Sequence, residues 1–96
     1  MKVKDKIMKI KVEQFEGRNG AVKNQFIITT PESTFFQSYN TIIVRKDNDN
    51  KIYLDEKYYN YSVTTSKYRN QFLRVENSKE VEQGIKTGKY ILTNLN

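Results

Sequence analysis

Three clusters of turn-forming residues divide the first 55 positions into short runs: Gly17-Arg18-Asn19-Gly20, Pro31-Glu32-Ser33 and Lys46-Asp47-Asn48-Asp49-Asn50-Lys51. Asn-Gly takes positive φ readily, proline cannot donate to a ladder, and Asx residues tolerate left-handed backbone. The runs between them are rich in β-branched and aromatic residues, so they read as strands. Met8, Ile10 and Val12 alternate with Lys9, Lys11 and Glu13, the period of a half-buried first strand. Gln25 to Thr30 reads as a second strand, Thr34 to Tyr39 as a third, and Thr41 to Arg45 as a fourth, with Asn40 a bulge or bend between the last two. Ile52 to Leu54 pairs with the fourth as a hairpin, and Tyr58 to Val63 reads as extended.

The period then changes. Thr64 or Thr65 is suited to N-cap a helix over about 65–74, with Tyr68, Phe72, Leu73 and Val75 forming its apolar stripe. Asn77 followed by Glu80 resembles a capping box and opens a second helix, with Val81 and Ile85 inward and Gly88 as its stop. Lys89 to Leu92 returns to the sheet as an edge strand. The expected fold class is α+β: a small antiparallel sheet of about four to six strands, with two short helices of the C-terminal half packed on one face. The other face is left to solvent or a partner. Residues 1–96 form a single domain in this reading, and residues 1–6 a disordered basic tail.

The composition excludes much chemistry. The chain has no Cys, His or Trp, so disulfides, thiol nucleophiles, imidazole bases and Cys/His metal sites are impossible. Asp55 and Glu56 are adjacent in a run read as extended, so they point to opposite faces and make a poor acid–base pair. Asp47 and Asp49 suggest a calcium loop, but the fifth, sixth and twelfth positions hold Lys51, Ile52 and Tyr58, so the segment reads as a turn. No Gly-rich phosphate loop is present. The expectation is a non-enzymatic protein with no metal and no cofactor. The apolar runs fall short of the roughly 20 residues a membrane span needs. With the absence of Cys, this leads to an expected cytoplasmic location.

Lys plus Arg total 17 against 11 Asp plus Glu, a net charge of +6. The charge is segregated: residues 1–11 hold five Lys and one Asp, and residues 57–75 hold Lys57, Lys67, Arg69 and Arg74 without an acid. Segregated positive charge is the footprint of a polyanion binder. Tyr58, Tyr59 and Tyr61 immediately precede the basic helix, and tyrosines interleaved with basic side chains suit single-stranded nucleic acid. Tyr58, Tyr59, Tyr61, Lys67, Arg69 and Arg74 are therefore the candidate binding residues. Lys67 and Arg74, seven apart, share a helix stripe.

Two segments carry a resemblance. Thr34-Phe35-Phe36-Gln37-Ser38-Tyr39-Asn40-Thr41-Ile42-Ile43 resembles one recurring signature, and Tyr59-Asn60-Tyr61-Ser62-Val63-Thr64-Thr65-Ser66-Lys67-Tyr68-Arg69-Asn70-Gln71-Phe72-Leu73 resembles its companion. Together they are similar to a family of small uncharacterised proteins of phages and mobile elements of low-GC Gram-positive bacteria. The likeness covers roughly residues 25–96, with Tyr59 in place of a usual Trp and Val44 in place of an expected Ala. The resemblance implies a bacterial host cell and no mechanism. Within that setting the partner is expected to be nucleic acid. The alternative is a protein-binding inhibitor of a host defence or replication factor, an anti-defence protein of anti-CRISPR type, whose partner is a host nucleic-acid-binding protein. Its basic face would then enter a nucleic-acid channel on the partner, or its acidic 47–56 segment would mimic nucleic acid. Oligomeric state is open in the sequence.

Overall fold

The computed structural model describes residues 9–96, so Met8 and the 1–6 tail lie outside the described residues. Strand β1 (Lys11–Gly17) and β2 (Gly20–Thr29) form a hairpin whose turn places Gly20 at φ +109. Strand β3 (Ser33–Ser38), β4 (Thr41–Asp47) and β5 (Ile52–Asp55) continue the meander. Helices α1 (Val63–Leu73) and α2 (Ser78–Thr87) follow, and β6 (Tyr90–Thr93) closes the order. The six strands lie in sequence order in one sheet, antiparallel except for β6, which pairs parallel to β5. A parallel return needs a long crossover, and the two helices supply it. The α+β class, with both helices in the C-terminal half, is as expected.

The core lies between sheet and helices. Phe15, Phe36, Ile43, Val44, Leu54, Val81 and Tyr90 are buried there, with Tyr68, Phe72, Val75 and Ile85 packed against them. Phe15 packs its ring against Phe36 and Tyr68, and Phe36 stacks on Phe72 at 5.8 Å between centroids. The register of β3 on β4 shifts between Phe36 and Gln37, so Phe36 opposes Val44 while Gln37 opposes Ile42. Ile43 is therefore the extra residue of a bulge, which turns both Ile43 and Val44 inward. The bulge is at Ile43, and the expected bend at Asn40 is the Tyr39-Asn40 hairpin turn. At α2, Gly84 is buried against the Tyr90 ring; a Cβ there would come within 2.5 Å of two ring carbons.

Several local expectations are corrected. Val12 is 61% exposed and Ile10 is exposed as well, while Phe15 is the buried residue of β1. Alternation places Val12 on the uncovered face of the sheet, and Ile10 precedes β1. The 58–63 run is not extended. The Asp55 carboxylate accepts hydrogen bonds from the N–H groups of Lys57 (3.1 Å) and Tyr58 (2.9 Å), which folds residues 56–61 into successive turns. Helix α1 begins earlier than expected, with Ser62 rather than Thr64 or Thr65 as its N-cap; Ser62 Oγ accepts from Thr65 N–H at 3.1 Å. Asn77 caps α2 as expected, accepting from Glu80 N–H, and Gly88 closes it at φ +84.

Candidate nucleic-acid interface

Helix α1 lies across the sheet beside the β1–β2 hairpin. Contact is close at Gly17, where a Cβ would sit 2.9 Å from Val22 Cγ2 and 3.4 Å from Tyr68 Cε1. On either side of that contact, side chains from hairpin and helix stand apart and leave a groove. Arg18 and Lys23 line one wall and Lys67, Asn70 and Gln71 the other. The groove continues past the C-terminal end of α1, where Arg74 and Lys46 join Arg18 around a cleft of about 930 Å³. Arg74 is the helix C-cap, held in left-handed backbone (φ 61) by its N–H bonds to Asn70 O and Gln71 O, which sets its side chain at the helix end.

All five cations are exposed and none forms an ion pair among the described residues. Glu16, Glu76 and Asp47 share these walls. Asp47 is already neutralised: Ser33 Oγ donates to it at 2.6 Å, and the Arg45 guanidinium donates to both of its oxygens. The Ser33 hydroxyl first, then Arg45, hold the Asp47 carboxyl below the ordinary carboxylate range. Five free cations therefore face two free carboxylates, and the groove favours an anion.

Two further depressions lie along the rest of α1. A second depression beside Lys67 and Asn70 reaches Ser62 at the N-terminal end of α1. Beyond Ser62 a third is walled by Tyr39, Tyr58 and Tyr61. Tyr61 is 70% exposed and meets Tyr58 edge-on at 5.6 Å, and Tyr39 is 56% exposed. The 11 residues of α1 span about 16 Å, so the track from the tyrosines to Arg74 is longer than one helix. It offers aromatic faces at one end and cations along the rest, and Lys67 Nζ lies 5.2 Å from the Tyr68 ring centroid.

The structure thus separates the six residues singled out in the sequence. Tyr58 and Tyr61 meet at one end of the track, Lys67 stands in its middle and Arg74 at its far end. Arg69 is not on this surface. It is fully buried at the joint between α1, the 56–62 turns and α2. There it donates to Tyr59 O (2.6 Å), Asn60 Oδ1, Asn70 Oδ1 and Ser78 Oγ (2.9 Å), with no carboxylate of the described residues in salt-bridge range. Burial, partly offset by Tyr59 and Glu82 nearby, pulls its pKa down from the ordinary arginine value. Tyr59 belongs to the same joint: its hydroxyl donates to Glu82 Oε2 at 2.9 Å, and burial first, then Glu82, raises its pKa. The hydroxyls at the start of α1 are also engaged internally, Ser62 with the Thr65 amide and Thr65 with Ser38 Oγ at 3.0 Å.

A model of a family of unknown function (DUF8033) matches residues 8–88. The chain belongs to this family. The match takes in both motif segments and begins upstream of them, so the β1–β2 hairpin is part of the family domain and not an addition to it. No curated protein and no solved structure matches the chain. Among the described residues of this DUF8033 protein, no cluster of metal-ligating side chains occurs, and no helix is long and apolar enough to cross a membrane.

Arg18, Lys23, Lys46 and Tyr39 were not anticipated as site residues. Arg18 and Lys23 lie in and just after the Arg18-Asn19-Gly20 turn, which the sequence marks clearly. What it does not mark is that this hairpin abuts α1.

Proposed function

We infer that the protein binds single-stranded nucleic acid without catalysis, along the track beside α1. The observation that supports this reading most is the convergence of five cations from separate segments, Arg18, Lys23, Lys46, Lys67 and Arg74, onto one groove, with exposed Tyr39 and Tyr61 walling a separate depression near the N-terminal end of α1. Phosphates of a bound strand lie along the cations, and unstacked bases rest on Tyr61 and Tyr39. A groove of side chains on one face of a helix tracks a flexible backbone and reads no base edges, so binding is tolerant of sequence. The family resemblance suggests the setting: an accessory protein of a phage or mobile element, acting in the cytoplasm of its bacterial host.

In the rival reading, a protein-binding inhibitor of a host factor, the same basic face would enter a nucleic-acid channel on the partner, whereas mimicry of nucleic acid by the acidic segment has less to work with. Asp47 is paired with Arg45 and Asp55 is buried, leaving only Asp49 and Glu56 of that segment exposed and unpaired.

Titration of a fluorescent single-stranded oligonucleotide tests the proposal. Lys67→Glu with Arg74→Glu weakens binding at least about tenfold, because two phosphate contacts become repulsions. Lys86→Glu with Lys89→Glu changes net charge equally on exposed residues outside the track and weakens binding far less. Equal losses in the two double variants would show that net charge alone drives binding and would refute the groove.

A further inference from the structure

The face of the sheet away from the helices carries a row that crosses all six strands. Val12 opposes Ile28, Ile28 opposes Phe35, Phe35 opposes Arg45, Arg45 opposes Tyr53, and Tyr53 lies beside Ile91. Residues paired in this way share a face, and it is the face opposite to buried Phe36, Val44 and Leu54. Five of the six are apolar or aromatic. The adjacent row, Gln14, Phe26, Gln37 and Ile42, carries no charge. No described element covers either row. An antiparallel sheet facing water on one side ordinarily sets polar residues there, and a contiguous apolar band on a surface marks a contact site.

The charge distribution narrows the occupant. Arg45 is the only cation in the row, and it is neutralised in place by Asp47, with Nε 3.0 Å from Oδ1 and the guanidinium 4.3 Å over the Tyr53 ring. In a chain of net charge +6, two copies repel wherever their lysines meet. Across this neutral band they do not. Six strands about 4.8 Å apart, paired over three to six residues of 3.3 Å rise, give a face of about 400 Å² and about 800 Å² for two copies, the size of a weak, transient contact.

We propose that this face is the contact between two copies of the chain, packed sheet on sheet with helices and basic grooves outward. Sheets packed in this way lie about 10 Å apart with interdigitating side chains. Phe35 fills the centre, and Val12 and Ile91 the two ends. The proposal is independent of what the groove binds.

Sedimentation of the full chain from low-micromolar to near-millimolar concentration tests it. The wild type shifts from monomer to dimer mass. Val12→Glu with Ile91→Glu, at two exposed positions whose change leaves the far-ultraviolet circular dichroism unaltered, weakens the dimer at least about tenfold. Lys67→Glu with Arg74→Glu dimerises at least as tightly as the wild type. A monomer throughout the range, or a dimer indifferent to the Val12 and Ile91 substitutions, would overturn the proposal. So would a chain that remains monomeric while this face takes up phospholipid vesicles or a different protein.

Discussion

Replacing Arg69 by methionine should cost the protein stability and spare its groove. Methionine fills much of the same space, so the loss is mainly in hydrogen bonds. The Tyr59 carbonyl, bonded at 2.6 Å to the guanidinium in the interior of the joint, is left without a donor, at about 1–3 kcal/mol. Asn70 Oδ1 and Ser78 Oγ lose partners too, but both side chains reach water, so each contributes only about 0.5–1.5 kcal/mol. Removing a desolvated cation that has no carboxylate partner offsets part of this. The net expectation is about 2–5 kcal/mol, or a fall in Tm of about 10–40 °C for a domain of this size. Arg69→Lys keeps the charge but not the fork that serves several acceptors at once, so it should recover less than half of the loss. Urea unfolding followed by circular dichroism measures both. An Arg69→Met variant that unfolds within about 0.5 kcal/mol of the wild type, the range of an ordinary surface change, but loses oligonucleotide binding would refute a structural role for Arg69. That pattern would put Arg69 on the binding surface.

Gly84→Ala should destabilise by about 1–3 kcal/mol in thermal unfolding, since its methyl meets the buried Tyr90 ring and must push α2 from β6; an unchanged Tm would contradict that packing. Burial alone would raise the Asp55 pKa, but donors from Leu95, Tyr58, Asn96 and Lys57 outweigh it and hold it below the ordinary carboxylate range. Its stabilisation is therefore present above the unfolded-state pKa and lost as pH falls through the lowered folded-state value. Asp55→Asn should flatten this acid limb and speed hydrogen exchange at the Leu95 amide, and an acid limb unchanged by the substitution would argue otherwise. Gln25 is buried on the helix side with its Oε1 lacking a partner among the described residues, so Gln25→Met should raise stability by about 1 kcal/mol; a clear loss in urea titration would mean that Oε1 has a bonded partner.

Much of this fold could be read locally, and the unread part is tertiary. Turn chemistry at 17–20 and 46–51, the Asn77 cap and the Gly88 stop act through neighbouring residues, so they were visible in the chain. Which side of β1 is buried was not. Ile10 and Val12 have the alternation of a core face, but the helices cover the opposite side, and only Phe15 reaches them. The segment after β5 was misread because its structure comes from a buried carboxylate bonding back to Lys57 and Tyr58, while its tyrosines favour strands. Arg69 was misread for a related reason. An arginine is ordinarily a surface residue, and its burial depends on acceptors brought together from Tyr59, Asn60, Asn70 and Ser78. The helical half of the site, Lys67 and Arg74, was legible from their spacing. The hairpin half, Arg18 and Lys23, depends on how β1 and β2 sit against α1.

The most direct test of the central claim is the salt dependence of oligonucleotide binding by the unmodified chain. Neutralising four or five phosphates of a single strand predicts a slope of log K against log salt near −3, from about −0.7 per contact. A single strand should also bind more tightly than a duplex of equal length, because only unstacked bases reach the tyrosines. A slope near that value, with preference for the single strand, is the expected result. No binding even at low salt, or binding indifferent to salt, would contradict the account.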